Sequence, residues 1–203
     1  MSLHKYRFFE TLPSVTPVFN SLLVAGDLIT DLFAKLQGLL SIRLRRTVLT
    51  AAVTGGASTT ADVTLASLVI PGSELRAADV IKFFVLGDWN KPNAGTNTVR
   101  LWVKVNGVDA GTITYATSNS VTDQPISFDG ELVIRSIAAA GVVTGGLRAF
   151  IHRTATAFDL RASQGTNATV NTQTDITITV GIGFATSNAS NRVTAEILTI
   201  VKE

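Results

Sequence analysis

The stretch Asn97–Ala116, read NTVRLWVKVNGVDAGTITYA, constrains the fold of this chain more than any other. Val99, Leu101, Val103 and Val105 alternate with Arg100, Trp102, Lys104 and Asn106. A period of two, with β-branched side chains on one face, describes a strand with one buried side. The pair Asn106-Gly107 follows. Both central positions of a type I′ turn need positive φ, which Asn and Gly tolerate best, so the pair predicts a tight hairpin. The return strand runs through Ile113 and Tyr115. The core is therefore expected to be antiparallel β.

Residues 47–203 carry the same signature throughout. Strands are expected near 47–53, 62–70, 79–86, 98–105, 111–116, 124–137, 142–152, 175–184 and 192–201. Turn-rich segments separate them, among them Pro71-Gly72-Ser73, Asn90–Gly95 and Ser187–Asn191. In the penultimate strand Ile176, Ile178, Val180 and Ile182 alternate with Thr177, Thr179, Gly181 and Gly183. In the last, Val193, Ala195, Ile197 and Val201 are read onto one face. Short strands without intervening helical periodicity predict a sandwich or barrel, and eight strands in two sheets is the jelly-roll arrangement.

Residues 1–46 differ. Up to residue 21 the apolar side chains, including Phe8, Phe9 and Phe19, follow no period, and Pro13 and Pro17 oppose a continuous helix. This reads as an extended arm that packs on its own domain or docks on a partner. Over residues 22–42, Leu22, Ala25, Ile29, Leu32, Leu36 and Leu39 recur at three- and four-residue steps, a heptad seam on one helix. The seam suits a self-contact around a symmetry axis or a helix lying on its own domain. The chain thus divides into an anchoring arm and helix (1–46) and a β-jelly-roll domain (47–203).

Composition narrows the function. Only 16% of the 203 residues are charged, against ~25% in an average soluble domain. Small neutral polar residues fill the difference, which suits an assembling particle protein. The net charge of +2, with Arg43, Arg45 and Arg46 as the only basic cluster, is no nucleic-acid footprint. Those arginines suit either an acidic partner surface or the C-terminal end of a helix. Cysteine is absent, which excludes disulfides, thiolate metal sites and a cysteine nucleophile. The first residues carry no uninterrupted apolar signal-peptide core, and charges at Asp27, Asp31, Lys35 and Arg43 interrupt the most apolar early stretch, so no membrane span is expected.

The run Leu68-Val69-Ile70-Pro71-Gly72-Ser73-Glu74-Leu75, followed by Asp79-Val80-Ile81, resembles a pattern of tailed-bacteriophage virion proteins, as do Asn97–Gly107, Glu131–Ser136 and the closing Thr194–Ile200. The resemblance covers residues 47–203 and carries no catalytic signature. It implies a trimeric jelly roll serving as a capsid decoration (cement) protein, a head fibre, or the tip of a tail fibre or spike. The implied partners are further copies of the chain and the major capsid protein or another virion protein, with host glycan as a possible ligand. The implied location is the virion, assembled in the host cytoplasm.

Chemistry-bearing constellations are sparse. His4 and His152 have no second ligand at metal spacing, and no G-x-S-x-G elbow accompanies His152. Gly181-Ile182-Gly183 lacks the third glycine and the helix of a dinucleotide site and reads as a strand end. Asp123, Asp129 and Glu131 are the acids that glycosidase chemistry would have to use. No catalytic residue, metal or cofactor is expected. Phe8, Phe9, Phe19, Leu22, Ile29, Leu32, Leu36 and Leu39 are the candidate oligomer or partner contacts. Trp89, Trp102 and Tyr115 are the candidate ligand surface or, for Trp102, a subunit contact; Trp89 is placed on a loop spanning 88–95.

Overall fold

A computed structural model of the chain describes residues 46–48, 52–55, 60–91, 97–117 and 120–203. The arm, the helix and the eight contact residues expected on them lie outside the described residues. Among those described, the chain forms β1 (Arg46–Val48), β2 (Val53–Gly55), β3 (Val63–Ile70), β4 (Val80–Lys91), β5 (Asn97–Val105), β6 (Val108–Thr117), β7 (Val121–Ile134), β8 (Gly141–His152), β9 (Phe158–Val170), β10 (Ile176–Phe184) and β11 (Arg192–Lys202). A 3-10 turn at Gly72–Glu74 is the only helical element among them.

The strands form two antiparallel sheets, an all-β sandwich as expected. One sheet has the order β1-β11-β4-β7-β8-β9, with β2 also paired to β11; the other is β3-β10-β5-β6. The pairs nest. Asn106 (φ 49°) and Gly107 (φ 81°) close the β5–β6 hairpin with the positive φ values that a type I′ turn requires. Outward from that tip β4 pairs with β7, β3 with β10, and β1 and β2 with β11. A long hairpin wound across two sheets in this way is a jelly roll. The β8–β9 hairpin is an excursion in the returning leg that widens the first sheet.

Inward-facing side chains make one core. Ile81, Phe83, Val85 and Trp89 of β4 meet Leu101, Val103 and Val105 of β5 and Ile178, Val180 and Ile182 of β10 in it, and none of them is more than 3% exposed. Each fully buried aliphatic side chain contributes about 1.5–3 kcal/mol, so alternation in these strands decides which face turns in.

Three expectations are corrected. The segment 88–91 is not loop: β4 continues to Lys91, with Trp89 paired to Gln124 of β7 and Val193 of β11. The face of β11 changes part-way. Its register with β4 shifts between Ala195 and Ile197, so Leu198 and Ile200 turn inward and Ile197 is left 50% exposed. Gly87 permits this shift, because a Cβ there would stand 1.8 Å from the Thr194 carbonyl oxygen. Finally, β9 is a strand that the sequence reading leaves as a connection.

Candidate functional site: the outer face of the larger sheet

The three aromatics expected to offer a stacking surface are 1–3% exposed, which removes them as a ligand platform in this domain. Trp89 and Tyr115 lie in the core, ring centroids 6.0 Å apart and edge to face. Trp89 Nε1 donates to the His152 carbonyl at 2.8 Å, and the Tyr115 hydroxyl donates to Asp159 Oδ2 at 2.7 Å. Both polar tips therefore have partners, as buried Trp and Tyr require.

Trp102 lies on the opposite face of β5, beside Arg100 and Lys104. Its partner across the ladder is Gly181, and a Cβ on Gly181 would stand 2.3 Å from Trp102 Cζ2. The glycine of the expected strand end is thus a seat for the indole. Lys104 Nζ stands 4.7 Å from the ring centroid. Asp62 bridges Lys104 Nζ, at 2.5 Å, and the Arg100 guanidinium. Burial alone would raise the Asp62 carboxyl; hydrogen bonds from Lys104 and Arg100 overcome it and hold the group below the ordinary carboxylate value.

The outer face of the seven-stranded sheet is organised differently. Ladder register places Ile197, Leu86, Ser127, Phe150 and Leu160 in one row across β11, β4, β7, β8 and β9. The row on one side runs Val48, Thr199, Phe84, Asp129, Arg148 and Ala162. On the other side Asp88 faces Pro125 across β4 and β7, and His152 faces Phe158 across β8 and β9. Phe84, Phe150, Phe158, Leu160 and Ile197 are 41–59% exposed. The Phe158 ring lies 6.3 Å from Phe150 and 5.6 Å from His152, centroid to centroid.

An open groove of about 680 Å³ crosses one end of this face. Phe84 and Gly146 are among its lining residues, and a Cβ on Gly146 would meet nothing within 4 Å. Asp129, Glu131, Lys82, Arg148 and Glu203 line it. Two of the acids flagged in the sequence, Asp129 and Glu131, are thus brought together on β7. Arg148 Nε donates to Asp129 Oδ2 at 2.7 Å, and Lys82 Nζ pairs with Glu203 at 2.6 Å. The bond to Glu203 raises the Lys82 ammonium above its ordinary value. Asp123 stands apart, held by the Arg192 guanidinium near the register shift of β4 and β7. His152 Nδ1 has no hydrogen-bond partner, and among the described residues no three His, Cys, Asp or Glu side chains converge on a metal-sized space.

Sequence reading did not single out Phe84, Phe150, Phe158 or Leu160, and it placed Ile197 on the inner face of its strand, where the structure leaves it exposed. One signal for them exists: Ile81, Phe83 and Val85 alternate with Phe84 and Leu86, an apolar strand on both faces. Such a strand turns one face to the core and leaves the other to be covered or exposed. Among the described residues no helix is long and apolar enough to cross a membrane. No protein-family model matches the chain, and no curated protein matches it.

Proposed function

We propose that the chain is a non-enzymatic structural component of a bacteriophage virion, a capsid decoration (cement) or head-fibre protein held to the particle through residues 1–46. The observation that carries this reading is the apolar outer face of the larger sheet. Exposed apolar patches of several hundred Å² mark interaction surfaces. Of the three acids that hydrolytic chemistry would need, two are engaged with cations: Asp129 with Arg148, and Asp123 with Arg192. The low charge fraction and the likeness of residues 47–203 to phage virion patterns point the same way.

Immunogold labelling of particles made from the genome that encodes the chain tests the proposal. Label over the head is expected, and deleting residues 1–21 is expected to release the chain from the particle. Absence of label from every particle overturns the reading.

A second reading, a tail-fibre or spike tip that recognises host glycan, draws support from the groove. The exposed Phe84 ring lies among acids and bases able to accept from and donate to sugar hydroxyls. Label confined to the tail, with glycan binding lost in Phe84→Ala, would select it.

A further inference from the structure

We infer that the outer face of the seven-stranded sheet is the surface through which copies of this chain associate. The inference rests on the proposed particle role, which calls for a self-contact, and it moves that contact from the heptad seam of residues 22–42 to the β-domain.

Three observations favour a second copy as the occupant. The first is concentration. Nine large apolar residues are exposed among those described, and six of them, Val48, Phe84, Phe150, Phe158, Leu160 and Ile197, stand on strands of this sheet and line this face. The second is area. With 150–250 Å² for an aromatic side chain and somewhat less for an aliphatic one, these exposures amount to roughly 500 Å² of apolar surface. A stable interface removes about 800 Å² per partner, and homodimer contacts are about 65% apolar, so one face supplies the apolar share of one such contact. The third is charge. The ionic groups on the face are of both signs and pair within it, Asp129 with Arg148 and Lys82 with Glu203. Such a face neither repels its own copy nor selects a strongly charged partner such as nucleic acid.

The face also reaches the edge of its sheet at β9, where Phe158 and Leu160 are the most exposed apolar residues, at 55% and 59%. A copy turned about a symmetry axis covers these edge residues together with Phe150. The same contact closes the Phe84 groove, so self-association through this face and glycan binding in the groove exclude each other.

The experiment is light scattering on the full-length chain after size exclusion, over a concentration series, for wild type, Phe158→Glu and Leu160→Glu. Val69→Glu and Val108→Glu, also exposed (50% and 42%) but off the face, serve as controls. Wild type and controls are expected to run as one oligomer. An unpaired carboxylate in a desolvated contact is expected to raise the dissociation constant of either face variant about a hundredfold or more. Circular dichroism on each variant confirms that the β-domain remains folded. A monomeric wild type overturns the inference, as does an oligomer that survives both face substitutions and is lost in Leu32→Glu. A chain that is monomeric yet labels the virion would sink this inference and leave the particle role standing. An oligomer that labels no virion would do the reverse.

Discussion

Replacing Gly181 by alanine tests whether the Trp102 seat is as tight as the structure indicates. The added Cβ would stand 2.2 Å from the Val63 carbonyl oxygen and 2.3 Å from Trp102 Cζ2. Carbon contacts are comfortable only from about 3.5 Å, so the β3 backbone and the indole must each yield by more than about 1 Å. Overpacking of this kind costs about 1–3 kcal/mol when the ring shifts in place, and expelling a buried Trp costs about 3–5 kcal/mol. The lower chain entropy of alanine in the unfolded state returns about 0.4–1 kcal/mol. The expected net loss is about 2–3 kcal/mol. Gly146→Ala is the matched control, because nothing lies within 4 Å of its added Cβ; it is expected to be neutral or stabilising by less than about 1 kcal/mol. Urea unfolding followed by circular dichroism gives both values. Tryptophan emission adds a native-state readout: both indoles are 1–2% exposed in the wild type, so a displaced Trp102 shifts emission to the red. Equal stabilities for the two variants, with unchanged emission, would refute the seat.

Gly107→Ala isolates the cost of the turn, since no atom lies within 4 Å of the added Cβ and only φ +81° opposes it; a loss of about 1–2 kcal/mol is expected in urea unfolding. Tyr115→Phe removes the 2.7 Å hydroxyl bond to Asp159 and is expected to cost about 1–2 kcal/mol in the same assay. Asp62→Asn is expected to cost about 1 kcal/mol or less, because the Arg100 side chain is 40% exposed and solvent screens the pair. The folded-state pKa of Asp62 is lowered, so its contribution is present above the unfolded carboxylate value and lost as pH falls through the folded one. Wild type and Asp62→Asn should accordingly converge in stability at acid pH; a constant gap down to full protonation would contradict the assignment.

The hairpin tip was legible because its chemistry is local. Asn106-Gly107 needs no tertiary partner to favour positive φ, and the alternation around it names the inner face. Other features depend on residues far away in the chain. β9 was invisible because its strand state is lent by the ladder to β8: of its side chains Ala168 and Val170 are buried while Phe158, Leu160 and Arg161 are not. The inner face of β11 was misread because the phase change is made possible by Gly87 on another strand. Trp102 was placed on the correct face, yet its burial depends on a bare position at Gly181 across the sheet. For the candidate site, the sequence marked Asp129 and Glu131. It did not mark Phe84 or Phe150, because an apolar strand on both faces reads as core until the second sheet is seen to lie on one side only.

The nested pairing has a kinetic consequence. Closing the β5–β6 turn joins Val105 to Val108, whereas the outermost pair joins Arg46 to Val201. Formed outward from the tip, each later pair encloses a longer loop, whose entropic cost grows only slowly with length, so an ordered zippering is the economical route. Opening runs in reverse. β1 and β2, three residues each, hold the last rung on β11, and amide exchange is expected to be faster there than in β4 and β10, which are paired on both sides and carry the core. β1 is therefore the most weakly fastened strand of the nest, so tension applied at Arg46 would loosen β1 while the inner pairs stay closed.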